Sequence, residues 1–410
     1  DVLCAGNPKT LDFLHKVMDE VCEVFPGKLI HIGGDESPRN RWKACPKCQK
    51  KMKELGLKKE AELQTYINKD MEAYLAAKGR EIIGWDETLE GGLSEKASVM
   101  SWRGYKGGIE AARQHHHVVM SPTNHCYIDY YQLKNHDAQP LAIGGYLPVS
   151  TVYSMEPVPA ELTEEEGKFI VGAQCNLWTE YVVSPDHAMY MLLPRLAAMC
   201  EVQWMQPERK DYDEFTSRLP RLINHYRSLG YNFAPHVFDI QGGLHSDTVR
   251  HVIVADLRSI DGAPIRYTLD GSEPTESSTL YTGPVDINRS CTIKARIFRT
   301  EGASHIFTDS VTFNKATSSP VVLSTLPHSR YQAPGTLLTD GRFGRSSFNT
   351  GEWMGFEGTP LVATIDMGHE KEISEVDVRT NVDGLNWIMD TRGITIEVSA
   401  DGKDFTTVAS

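Results

Sequence analysis

The sequence predicts a multidomain chain of class α/β plus β, in which a βα repeat around a parallel sheet is followed by two β-sandwich segments. Two observations carry this. From residue 11 to about 235, amphipathic helical stretches alternate with short β-rich runs, the pattern of helices laid on a parallel sheet. After about 236 the apolar period drops to two between Gly, Pro and Ser turns, as in antiparallel sandwiches.

The chain opens on a helix, and five strand candidates follow. They are KLIHIGG (28–34), REIIGW (80–85), ASVMSW (97–102), HVVMSP with NHCYIDYY after it (117–131), and FIVGAQCNLW (169–178). Between and after them lie helix candidates: AELQTYINKDMEAYLAAKG, the segment near GGIEAARQH, and DYDEFTSRLPRLINHYRSLGYNF. Glycines close helices of this kind because they accept the left-handed conformation of a C-terminal cap. The stretch DGAPIRYTLDGSEPTESSTLYTGPVDINRSCTIKARIFR then alternates apolar and polar residues, and the Thr/Ser/Pro-rich TFNKATSSPVV reads as a linker. Beyond it, LVATIDMG, ISEVDVRT and GITIEVSADGKDF are further alternating strands. The expected division is 1–235, 236–315 and 316–410.

Composition narrows the partners. The 410 residues carry a formal net charge of −13 and no long basic run, which argues against nucleic-acid phosphate or an anionic membrane surface. A neutral ligand is the easier expectation. No stretch approaches the roughly 20 apolar residues of a membrane span, and DVLCAGNPKT lacks the pattern of a secretory signal. Of eight cysteines, most sit singly in apolar runs like core residues. Cys45 and Cys48 in KACPKCQK have zinc-ribbon or redox spacing, but no second CxxC or HxxxH pair follows to complete four ligands, which favours a loop staple or free thiols over metal or redox work.

In barrels built of βα units, chemistry gathers where strands end and loops begin. Trp85 and Glu87 close one strand in GWDE, Tyr127 and Asp129 another in YID, Trp178 and Glu180 a third in WTE, and Trp102 in SWRG adds a ring. An aromatic and an acid two positions apart share one side of an extended chain. Rings give flat apolar walls and carboxylates accept hydrogen bonds from hydroxyls, so the pattern suits a sugar.

The stretch HIGGDESPRN places Asp35 and Glu36 behind two glycines. Period two puts His31, Gly33 and Asp35 on one side, with Glu36 where the chain turns, so both acids can reach one pocket. A neighbouring carboxylate and partial desolvation would raise the pKa of Glu36, as a proton donor near neutral pH requires. Adjacent residues are poorly placed to act as nucleophile and acid across one anomeric carbon, since ordinary retaining glycosidases set two carboxyls roughly 5 to 5.5 Å apart on opposite sides of the bond. Some other group should attack. His31 reads as a hydrogen-bonded structural histidine.

HIGGDE, GWDE, SWRG, YIDYYQ and NLWTEY, in this order, resemble the catalytic barrel of β-N-acetylhexosaminidases, glycoside hydrolase family 20. The resemblance covers residues 1 to about 235. IRYTLDGSEPTESSTLY looks like the small β-domain found after many such bacterial barrels, and LLTDGRFG, EWMGFEG and IEVSADGKDF look like a partial discoidin or factor 5/8 type C module. The resemblance implies a (β/α)8 TIM barrel of which the last five βα units are present. It implies exo-acting removal of terminal β-linked GlcNAc or GalNAc with retention, in which the substrate's 2-acetamido oxygen attacks to form an oxazolinium intermediate. By the same match Asp35 orients the acetamide N–H, Glu36 is the general acid and then base, and Tyr127 hydrogen-bonds the acetamide oxygen. Trp85, Trp102 and Trp178 wall the pocket, and Asp129 and Glu180 bind hydroxyls on the far rim. No cofactor or metal is implied.

The HIGGDE strand is the fourth of eight in the family, so the first three units, with the family's sugar-gripping arginine, are expected in a missing amino-terminal half that would complete the barrel. Two other readings stand beside this one: release of a disaccharide as by a lacto-N-biosidase, and a non-catalytic carbohydrate-binding protein or inactive fragment. The discoidin-like part is a candidate for a galactose-type sugar or a Ca²⁺ near Asp340. Resemblance also implies export to a bacterial periplasm or surface.

Overall fold

The computed structural model describes residues 1–410 except 135, 137, 138, 301, 329, 330, 346, 347 and 349. In its first half α1 (Pro8–Val24) is followed by β1 (Leu29–His31), α2 (Asn40–Ala44), α3 (Pro46–Leu55), α4 (Ala61–Ala76), β2 (Glu81–Trp85), β3 (Ser98–Ser101), α5 (Lys106–Arg113), β4 (Val118–Met120), α6 (Thr123–Cys126), α7 (Val149–Tyr153), α8 (Glu164–Gly167), β5 (Ile170–Ala173), α9 (Pro185–Leu192), α10 (Arg195–Trp204) and α11 (Tyr212–Ser228). Helix starts are marked locally. The Asn7 side chain accepts from the Lys9 N–H ahead of α1, Ser184 from the His187 N–H ahead of α9, and Thr163 and Glu166 form a reciprocal capping box at α8.

The five strands β1 to β5 form one sheet in sequence order, every neighbouring pair parallel, with Ile30 beside Ile82 and Val99 beside Val118. Val99, Val118 and Met120 on the sheet pack with Val152 of α7, Met199 of α10 and Leu219 of α11 into one buried cluster. Burial of such side chains stabilises by about 1.5 to 3 kcal/mol each. The two end strands leave apolar side chains open, with Leu29 45% and Val171 55% exposed.

Three strands are shorter than the sequence predicts, and the one expected over 169–178 ends at Ala173, so that Trp178 and Glu180 lie in the loop beyond it and not at a strand end. β1 stops at His31, because Gly33 (φ 73°) and Gly34 (φ 110°) turn the backbone left-handed. The expected strand over 117–131 breaks at Pro122, which carries no N–H and leads instead into α6. Tyr127 rejoins the sheet through a single bridge to Asn176.

The second half is β. Strands β6 (Gln241–Asp247), β7 (Val252–Arg258), β8 (Ile265–Thr268), β9 (Thr279–Leu280), β10 (Val285–Ile287), β11 (Cys291–Arg299), β12 (Gly302–Ala303) and β13 (Phe307–Val311) make two sheets, ordered β10-β7-β6 and β12-β11-β8-β9, with β13 also on β11. Ile253, Ala255, Ile265, Ile293, Ile297 and Val311 meet in their shared core. Asp239 ties this part to the first. Its carboxylate bonds His236, whose other ring nitrogen contacts Tyr190 of α9, and it also accepts from the His305 N–H at 2.9 Å. Burial pushes this carboxyl up, but the two histidines outweigh that and hold it at about 2.

Beyond residue 316 the structure departs from expectation. β14 (Val321–Leu323) pairs with β15 (Ala363–Ile365) and β16 (Ile396–Val398) with β17 (Thr406–Ala409), and among the described residues these two ladders stand where a third sandwich was expected. ISEVDVRT forms no strand, and its Val376 and Val378 are exposed. Alternation supplies one apolar face per strand, and with no second layer over it a two-stranded ladder gains little. Asp340 is no open oxygen site for Ca²⁺: its buried carboxylate is engaged by Arg342, whose guanidinium also reaches Asp309.

Candidate functional site

The site is built from the carboxyl-terminal ends of the strands. Trp85 is the last residue of β2, and its N–H donates to the Gly33 carbonyl at 3.0 Å, joining it to the turn after β1. The fit needs glycine at position 84, where a Cβ would meet Thr88 Cγ2 at 2.9 Å and the Gly33 oxygen at 3.0 Å. The Gln64 side chain of α4 donates to the Gly34 carbonyl at 2.8 Å and fixes the turn from behind.

Four aromatic rings close a circuit. Trp85 lies 6.3 Å from Trp102, Trp102 6.3 Å from Tyr127, Tyr127 6.4 Å from Trp178, and Trp178 6.1 Å from Trp85, centroid to centroid. Trp85 and Tyr127 are buried, whereas Trp178 is 42% exposed and forms the outer side. His31 sets its ring edge on Trp85 at 4.7 Å, and its Nδ1 accepts the Gly33 N–H at 3.1 Å. Desolvation of the ring lowers the His31 pKa against the pull of Asp35, which favours the neutral imidazole that accepts this bond.

Asp35 and Glu36 lie beside this circuit on the turn, and both are exposed. Glu36 takes a left-handed φ of 46°, uncommon for a residue with a side chain. Its N–H donates to Glu87 Oε1 at 3.4 Å, and the Trp102 indole donates to Glu87 Oε2 at 2.8 Å. One buried carboxylate therefore holds both the Glu36 backbone and a wall of the circuit. Desolvation raises the Glu87 pKa, only partly countered by the Trp102 bond and by Arg103. Next to it Asp86, 1% exposed, accepts from the Trp102 and Arg103 backbone and from Arg103 Nε at 2.6 Å. Arg103 and Arg39 both reach Glu90, and a cavity of about 330 Å³ opens between Glu36, Arg39, Glu87, Trp102 and Arg103.

Asp129 is 3% exposed, and its Oδ1 has no hydrogen-bond partner among the described residues. Desolvation pushes its carboxyl up to about 6; Glu180 adds to the rise, while Arg195 opposes it. A raised carboxyl binds its proton more tightly folded than unfolded. Its ionisation therefore costs stability as pH climbs from the ordinary 3.8 through about 6. Asp129→Asn removes that cost, so thermal unfolding should show the variant gaining about 2 to 3 kcal/mol relative to the parent between pH 4 and pH 8. A difference independent of pH would contradict a desolvated, ionisable Asp129.

The structure thus brings Trp85, Trp102, Tyr127 and Trp178 together, with Asp35 and Glu36 at one side and Asp129 within reach of the Glu180 charge. Glu180 itself is exposed. Burial is distributed otherwise than expected: the desolvated acids are Glu87 and Asp129, and Glu36 sits in solvent. Sequence reasoning passed over Asp86, Arg103 and Arg195. Arg195 is fully buried, with its guanidinium on the carbonyls of Ile128, Tyr130, Leu147 and Met191. The one signal for it was a lone arginine inside the apolar run MLLPRLAAMC.

The profile of the glycosyl hydrolase family 20 catalytic domain matches residues 1–207, and that of the Fn3 associated family matches residues 256–311. A β-hexosaminidase of Porphyromonas gingivalis is 42% identical over 299 residues, 72% of this chain and 38% of that protein. One from Vibrio furnissii is 35% identical over 202 residues, 48% of this chain and 33% of its own length. Among solved structures, a family 20 exo-β-N-acetylglucosaminidase from Vibrio harveyi in complex with N-acetylglucosamine aligns with a TM-score of 0.52 and 32% identity. That alignment covers 57% of this chain and 37% of the other. The chain spans well under half the length of each of these proteins.

Proposed function

Because the chain belongs to glycosyl hydrolase family 20, we propose that it forms the acid-bearing half of an exo-β-N-acetylhexosaminidase, cleaving terminal β-linked GlcNAc or GalNAc with retention. The observation that carries this reading is the closed circuit of Trp85, Trp102, Tyr127 and Trp178 beside the Asp35–Glu36 turn. An N-acetyl group and the C–H face of a pyranose suit a box of rings, and the acids suit its polar rim.

In the proposed reaction the carbonyl oxygen of the substrate's 2-acetamido group attacks C1 as the C1–O bond to the leaving group breaks. Glu36 gives its proton to the departing oxygen. Asp35 accepts the acetamide N–H and offsets the positive charge that develops on the oxazolinium ring. Tyr127 donates to the acetamide oxygen and aligns it; burial raises the phenol's pKa, so the donor stays protonated at any working pH. Water then attacks C1, Glu36 takes its proton, and the C1–O bond to the acetamide breaks, returning the amide. Asp129 and Glu180 hold hydroxyls of the terminal sugar, which favours removal of single residues over disaccharides.

The uncovered apolar side chains on β1 and β5 support a second element of the proposal: further βα units, from an amino-terminal half, complete the barrel. The test is hydrolysis of aryl β-GlcNAc, β-GalNAc and lacto-N-bioside by the chain alone and with such a half supplied. Turnover of the first two substrates that rises with the added half supports the reading. A preference for the disaccharide, or silence with a half that demonstrably binds, would overturn it.

A further inference from the structure

Cys4, Cys45 and Cys48 come together although 41 residues separate the first two. Cys4 lies just ahead of α1, Cys45 caps α3 and Cys48 lies in its first turn. The Cys4 sulfur is 3.7 Å from that of Cys45 and 3.7 Å from that of Cys48. A disulfide would need about 2.05 Å for one pair and would push the third sulfur aside. Sulfurs at the corners of a tetrahedron around zinc, with Zn–S of about 2.3 Å, stand about 3.75 Å apart. The two spacings from Cys4 match that edge, and all three sulfurs lie within 4.8 Å of one another.

The local backbone supports the match. Position 6 tolerates only glycine: a Cβ there would meet the Lys47 carbonyl at 2.2 Å and the Cys48 nitrogen at 2.6 Å. The chain is thus shaped so that Cys4 can reach the other two.

We propose that Cys4, Cys45 and Cys48 bind one Zn²⁺ as thiolates, with a solvent oxygen in the fourth position. No fourth His, Cys, Asp or Glu joins the cluster among the described residues, and Cys4 and Cys45 are only half-buried, which leaves water a way in. The CxxC pair, read from sequence alone as lacking partners, finds its third ligand upstream. The role is structural. The clamp joins the segment before α1 to the helices that directly follow the Asp35–Glu36 turn, and Trp42, Met52 and Leu63 pack around it. This site stands or falls independently of the proposed hydrolysis.

Elemental analysis of the full chain, purified without chelator and dialysed against micromolar zinc, tests it. About one zinc per chain is expected, falling to about a tenth in Cys4→Ser and unchanged in Cys200→Ser, whose thiol is exposed on α10. Because Cys4→Ser can loosen the fold, cobalt substitution in the unaltered chain gives a second reading: an intense thiolate-to-cobalt charge-transfer band with tetrahedral ligand-field absorption. A chain that takes up no zinc while all three thiols alkylate freely would overturn the proposal. So would an intact mass about 2 Da low that reverts on reduction, which marks a disulfide.

Discussion

Glu36→Gln, in the completed barrel, is expected to lower kcat about 10³-fold on natural β-linked N-acetylhexosaminides and about tenfold less on dinitrophenyl glycosides. The difference follows from what the proton does. An alkoxide leaving group cannot depart unassisted, whereas a dinitrophenolate can, so only the later activation of water still needs the carboxylate. Glutamine keeps the size of the side chain and the bond from the residue 36 N–H to Glu87, so the turn should hold. The alkaline limb of the pH–rate profile should disappear with the carboxyl group. Equal losses on both substrate types would contradict the acid role of Glu36.

The second large effect is expected from Arg195→Met, a loss of about 3 to 5 kcal/mol of folding stability. Arg195 has no exposed surface, and its donors meet carbonyls on three segments: Ile128 and Tyr130 beside Asp129, Leu147 ahead of α7, and Met191 in α9. Burial lowers its pKa to about 9, against the pull of Cys175, Asp129 and Tyr190, so it remains charged at neutral pH. Methionine fills the volume but leaves those carbonyls without donors in a dry interior. Lysine should rescue little, because one ammonium cannot span carbonyls set for a planar fork. Denaturant unfolding that finds Arg195→Met within 1 kcal/mol of the parent would show those bonds to be expendable.

How far the fold was legible depended on whether its cause was local. The strands ending at Trp85 and Ser101 could be read because short apolar runs between helical segments leave few alternatives. The break after Met120 was missed because the alternation of NHCYIDYY looks like strand, while Pro122 imposes a helical turn first. Tyr127 and Asp129 still reach the site region, but through the Tyr127–Asn176 bridge and Arg195, not through one extended strand. The acid expected to be desolvated was Glu36. Burial instead falls on Glu87 and Asp129, because the left-handed turn at Gly33, Gly34 and Glu36 lifts its acids outward while the loops after β2 and β4 fold inward. Contacts between distant segments, such as Cys4 with Cys48, leave no periodic trace. The segment from 316 onward has the alternation of a sandwich, but among the described residues no covering layer turns that alternation into structure.

The measurement closest to the central claim is a crystal structure of the chain with the thiazoline analogue of the GlcNAc oxazolinium. The analogue's bicyclic ring should sit between Trp85, Trp102, Tyr127 and Trp178, its nitrogen toward Asp35 and its sulfur, in place of the acetamide oxygen, toward the Tyr127 hydroxyl. Density placing the analogue's acetamide-derived atoms away from Asp35, Glu36 and Tyr127 would contradict substrate assistance.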